Sequence, residues 1–159
     1  MPSCSAKDQR PTFMDVFMLT GLDIFSPDTP YHFSVKPKHR FETKNVGGWK
    51  KYITEYAKTG PIGDREHVIV LTMWLEKFIF CGKTLGPTAN CKQMAESLVA
   101  GTSIPLGKPL LGSVYSLLHQ VSAKLRSGEN IGTTGGPWWF INLWLNLYMH
   151  KVMDYDLET

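Results

Sequence analysis

The sequence predicts a mainly α-helical chain, a single globule of about six helices, and three observations carry that prediction. Apolar residues recur at three- and four-residue spacing in successive segments, the pattern of helices with a buried face. Capping residues, prolines and glycines punctuate the ends of those segments. Hydrophobic residues make up 43% of the 159 residues and charged residues 19%, enough apolar material for one core and too little charge for a disordered chain. The expected organisation is a polar tail over residues 1–10, one domain over 11–152 and a tail over 153–159.

The first helix is predicted from Thr12 and Asp15, which are spaced as a capping box, each able to satisfy the other's backbone at the positive helix end. Val16, Phe17 and Leu19 supply its apolar face, and Gly21 stands where a left-handed residue would end it. Residues 31–35 alternate as a strand does, and residues 40–44 are placed to pair with them, so the sequence allows one small N-terminal β-hairpin. After Gly47 and Gly48, the spacing of Trp49, Tyr52, Ile53 and Tyr56 predicts a helix of about three turns, stopped by Gly60 and Pro61.

Asp64 and Glu66 open a segment that is apolar on nearly every side from 68 to 80, which predicts a central buried helix with Trp74 in the core. Pro87 and Thr88 are expected to start the next helix, with Met94, Ala95, Leu98 and Val99 on one face. Leu110, Leu111, Val114, Leu117, Leu118, Val121 and Leu125 form the clearest helical stripe in the chain. Pro137 then opens "PWWFINLWLNLYMH", again apolar nearly all round. Its expected role is a helix enclosed by others, shielded against the 68–80 segment, with Trp139 in the core. Any exposed part of Trp138, Trp139 and Trp144 would form a partner patch.

Composition narrows the chemistry. Cys4, Cys81 and Cys91 fit neither a disulfide framework nor a zinc ligand set, which favours a reducing compartment, nucleus or cytoplasm. The polar start "MPSCSAKDQRP" has no secretory signal character, and the two apolar segments are shorter than the ~20 residues a membrane helix needs, so no membrane role is expected. Asp64, Glu66 and His67 put acids and a base within one helical turn, but helix-end acids are the plainer reading. Cys81 and Cys91 flank Lys83, which could lower a thiol pKa, although buried cysteine is commoner. The "GTTGG" run at 132–136 precedes a helix as a phosphate cradle does, yet lacks the Lys-Ser/Thr of a nucleotide loop. No catalytic residue, cofactor or metal site is expected, and the chain reads as a non-enzyme.

Charge is uneven. Six Lys/Arg against one Glu in residues 36–51 give +5, so the remaining residues carry −2 of the chain's net +3. Lys36, Lys38, Arg40, Lys44, Lys50 and Lys51, interleaved with aromatics such as Trp49, are candidate contacts to nucleic acid. A solvated charged rim has the same composition.

Four stretches in order, "TFMDVFMLTGLDI", "GWKKYITEYAKTGPIGDREHVIVLTMWLEKFIF", "LVAGTSIPLGKPLLGSVYSLLHQ" and "GPWWFINLWLNLYMH", closely resemble the plant mobile domain, also labelled aminotransferase-like, over residues 11 to 151. The resemblance implies similarity to the MAINTENANCE OF MERISTEMS proteins and to domains carried by transposable elements. It implies a nuclear role in transposon silencing, gene-expression control and genome maintenance in meristems, through a complex with a protein phosphatase 7-like protein. It brings no catalytic residues with it, and the aminotransferase label finds no pyridoxal-phosphate constellation around Lys83. Compared with the usual domain the chain stops early, so a shortened copy is expected. The alternative reading is a transposon-derived nucleic-acid-binding domain using residues 36–51. Partner identity and oligomeric state are not legible.

Overall fold

The computed structural model describes residues 10–27, 38–44, 46–57, 59–84 and 86–155, with side chains through residue 148. The described residues form a mainly helical globule of six helices, with no strand among them. Helix α1 (Phe13–Thr20) starts as its capping box predicts. Asp15 N–H donates to Thr12 Oγ1 at 3.3 Å, and Thr12 N–H donates to Asp15 Oδ2 at 2.8 Å. It ends at Gly21, whose φ of 68° is the left-handed conformation that glycine adopts without a Cβ penalty. Only Val16 of α1 is fully buried, while Phe13, Met14, Phe17 and Met18 remain exposed.

Helix α2 (Trp49–Tyr56) buries Tyr52, whose hydroxyl donates to the Ile69 carbonyl at 2.9 Å. Helix α3 (Asp64–Trp74) follows, and its last turn widens into a π-helical segment, Leu75–Ile79. The expectation of a helix buried on all sides is corrected here. Val68, Thr72, Leu75 and Ile79 face the core, whereas Val70, Trp74 and Phe78, four apart, are 54%, 38% and 51% exposed. Trp74 is therefore a surface residue. An all-round apolar sequence permits burial but does not supply elements to cover a second face, and folded surfaces are largely apolar anyway.

Helix α4 (Lys92–Val99) begins later than Pro87 and Thr88 predicted, because residues 88–91 are gathered into a turn by Glu76. Helix α5 (Gly107–Ser127) buries Leu110, Leu111, Val114 and Leu117, but its stripe runs out into solvent at Leu125. Helix α6 (Trp138–Tyr155) follows the buried Pro137. Through residue 148 it buries Phe140 and Ile141 and half-buries Trp144 and Leu145 against the core, while Leu143, Leu147 and Tyr148 are exposed.

The helices pack in two groups. α3 lies against α4 and α2, while α5 lies against α1 and α6, and α1 also meets α6. One hydrophobic cluster, including Val16, Val68, Leu75, Leu110 and Phe140, runs through both groups. The segments 68–80 and 137–149 were expected to shield each other as neighbours. They do meet: Leu75 and Ile79 share the one hydrophobic cluster with Phe140 and Ile141, and Trp139 Nε1–H donates to the Ile79 carbonyl at 2.9 Å. The first arm of the expected hairpin, residues 31–35, lies outside the described residues, and residues 40–44 form a loop.

Candidate functional site

The loop over residues 38–44 carries part of the basic stretch. Its backbone pairs with helix side chains. Lys38 and His39 N–H groups both donate to the Glu96 carboxylate at 2.7 Å. Arg65 donates to the Arg40 carbonyl and Lys92 Nζ to the Phe41 carbonyl. The Tyr56 hydroxyl accepts from Glu42 N–H at 2.9 Å and donates to Glu42 O at 2.8 Å. Lys92 Nζ also sits 4.1 Å from the centre of the Phe41 ring. Partial burial pushes its pKa down, with Arg65 acting in the same direction against an opposing Glu96.

Lys38, Arg40, Lys44, Lys50 and Lys51 are exposed, while Lys36 lies outside the described residues. Lys50 and Lys51 line a shallow depression together with Glu42 and Glu55, so the surface there is mixed in charge. The interleaved aromatics turn inward. Trp49 packs edge-on to Tyr52 at 5.4 Å, Tyr52 to Tyr56 at 5.1 Å and Phe41 to Tyr56 at 5.9 Å.

Asp64 and His67 are exposed at the start of α3, and no hydrogen bond joins them to each other or to Glu66. Burial pushes the Cys81 thiol up, and burial together with the Glu76 carboxylate pushes Cys91 up to about 12, the reverse of an activated thiolate. The "GTTGG" loop is glycine-rich because the chain passes close by. A Cβ on Gly135 would lie 2.5 Å from the Lys83 Cα. Among the described residues no group of three His, Cys, Asp or Glu is placed to hold a metal ion, and no helix is long and apolar enough to cross a membrane.

Glu76 lies on a second cleft of about 450 Å³, whose lining mixes Lys83, Thr88 and Asn90 with Trp49, Phe80 and Met94. One carboxylate oxygen accepts from Thr88 N–H at 2.8 Å, and the other accepts from the Thr88 hydroxyl at 2.8 Å and Cys91 N–H at 3.3 Å. Its lone pairs are spent on the turn that precedes α4. Trp138, Trp139 and Trp144 are half-buried against the core. Their indole N–H groups donate respectively to Thr134 O, Ile79 O and Asp15 Oδ2. Trp139 and Trp144 thereby tie α6 to other elements, and Trp138 ties it to the loop that precedes it.

A cleft of about 260 Å³ opens between α2 and α3. Tyr52, Ile53 and Tyr56 form one wall, Ile69, Val70 and Met73 the other, and Ile62 of the connecting loop adds an edge. Ile53, Ile62 and Val70 are 47%, 67% and 54% exposed, so the cleft faces water with aliphatic side chains. Its tyrosine hydroxyls are engaged elsewhere, on Ile69 O and Glu42. Burial, then the Glu76 carboxylate and Tyr56, push the Tyr52 hydroxyl upward, which keeps it a neutral donor. Glu66 is the one ionisable carboxyl on the lining. From the Val70 wall, exposed Trp74 and Phe78 continue an apolar ridge along α3 and the π-helical segment. Sequence reasoning missed this cleft. The available signal was that 68–80 is apolar on more faces than one core can cover.

No protein-family model matches the chain, and neither does any curated protein or any solved structure.

Proposed function

We propose that the chain is a non-enzymatic interaction module that binds protein partners through the α2–α3 face. The observation that supports this most directly is the cleft itself: apolar walls, internally satisfied hydroxyls and a flanking ridge of Val70, Trp74 and Phe78 left to solvent. Such a surface gains free energy when an apolar partner covers it, and hot spots of interfaces are built around aromatic and aliphatic pockets of this kind. Burial pushes the thiols of Cys81 and Cys91 up, so neither is an activated nucleophile, and neither lines this cleft.

The resemblance to the plant mobile domain extends the proposal to a nuclear module acting in transposon silencing, gene-expression control and meristem maintenance, with a protein phosphatase 7-like protein as partner. The second reading, a nucleic-acid-binding domain, is favoured by the exposure of Lys38, Arg40, Lys44, Lys50 and Lys51. Purification of the intact protein from plant nuclei, with bound protein and nucleic acid identified, tests both. A phosphatase-like partner retained by the wild type and lost from Val70→Asp is the expected outcome. Nucleic acid retained by both forms, with no protein lost from Val70→Asp, would replace the first reading by the second.

A further inference from the structure

We infer that the α2–α3 cleft takes an amphipathic helix whose apolar anchor is flanked by lysine or arginine, an inference that rests on the proposed role of this face in protein binding. The shape argues for a side chain as occupant. About 260 Å³ is less than the ~300–1,000 Å³ of pockets that enclose whole small molecules, yet ample for an inserted leucine- or phenylalanine-sized group. The walls carry residues at helical spacing: 52, 53 and 56 on α2, and 66, 69, 70 and 73 on α3. They form a groove bounded by two helices, which an apolar helix stripe fits.

Charge selects the flank. Glu66 is half-buried on the lining, and no described residue donates a hydrogen bond to it. The nearest cation in sequence, Arg65, is directed to the Tyr56 ring, 5.7 Å from its centre, and to the Arg40 carbonyl rather than to Glu66. A docking helix that brought a carboxylate to Glu66 would place like charges together in a partly desolvated groove. One that brought a lysine or arginine would complete an ion pair there.

The test uses the full chain and two fluorescein-labelled amphipathic peptides of about four helical turns, one of leucine and lysine, the other of leucine and glutamate at the same positions. Binding is read by fluorescence anisotropy. The chain's net charge of +3 disfavours the lysine peptide overall, so a preference for it reports the local site. The wild type is expected to bind the lysine peptide at least about tenfold more tightly than the glutamate peptide. Glu66→Gln should narrow that ratio several-fold, and Val70→Asp should abolish binding of both. Val70 is 54% exposed, so this variant should keep its fold, which circular dichroism checks. Equal affinity for both peptides, each lost in Val70→Asp, would overturn the charge inference and leave the cleft as a protein-binding face. Binding that survives Val70→Asp, or no binding of either peptide, would overturn the cleft as a docking site altogether.

Discussion

Asp15 accepts hydrogen bonds from Thr12 N–H at 2.8 Å, the Thr12 hydroxyl at 3.0 Å, Trp144 Nε1–H at 3.3 Å and the Tyr148 hydroxyl at 2.6 Å. One carboxylate therefore caps α1 and fastens α6 to it. Burial alone would raise its pKa, but the bonds from Tyr148, Thr12 and Trp144 together hold it below the ordinary 3.8. A depressed folded-state pKa means stability that is fully present above the unfolded value and lost as pH falls through the folded one. Asp15→Ala should cost about 1–3 kcal/mol in urea unfolding at neutral pH, since hydrogen bonds to a charged acceptor are removed. The difference from wild type should shrink on acidification below pH 3.8, where the native carboxylate takes up its proton. A deficit that stays constant to lower pH would show that Asp15 acts by packing alone. The capping half of this residue was legible in the sequence, because Thr12 and Asp15 are local. Its partners Trp144 and Tyr148 lie far along the chain, and no local pattern announces them.

At the scale of elements, helix starts set by local chemistry were legible and those set by distant groups were not. α1 follows its capping box, and α6 follows Pro137. α4 does not follow Pro87, because Glu76 on the π-helical segment binds Thr88 and Cys91 and holds the intervening residues as a turn. The wider π turn is a feature often kept where a side chain must be re-aimed, and Glu76 is the residue it presents to this turn. Glu76→Ala should leave Thr88 and Cys91 N–H groups without their acceptor and destabilise the chain by roughly 1–3 kcal/mol. Two influences then act on Cys91. It loses the carboxylate that helps to keep its thiol protonated, and the turn that buries it loosens. Alkylation mapped by mass spectrometry should therefore accelerate at Cys91 in the variant, while Cys81, which is bonded to the carbonyls of Lys77 and Phe78, changes little. Unchanged labelling of Cys91 would mean that the turn holds without Glu76.

For the whole molecule, helical content was readable from periodicity, but the pairing of helices was not. Periodicity says that residues 68–80 and 137–149 are apolar. It does not say which face of one meets which face of the other. They meet in one apolar cluster that includes residues of both helix groups, and one directional bond, Trp139 Nε1–H to the Ile79 carbonyl, lies within it. Continuity of that cluster predicts one cooperative unfolding transition, with tryptophan fluorescence and far-ultraviolet dichroism superimposing in urea. Trp139→Phe keeps an aromatic ring in the cluster and removes the donor, leaving the carbonyl of buried Ile79 without this partner. The expected cost is about 1–2 kcal/mol, seen as a lower midpoint with the two probes still coincident, because shared apolar packing rather than this bond couples the groups. If the probes separate in the variant, the bond itself couples the two groups, and the core is less continuous than its packing indicates. Tryptophans in both groups, Trp49 and Trp74 in one and Trp138 and Trp144 in the other, would report such a separation directly.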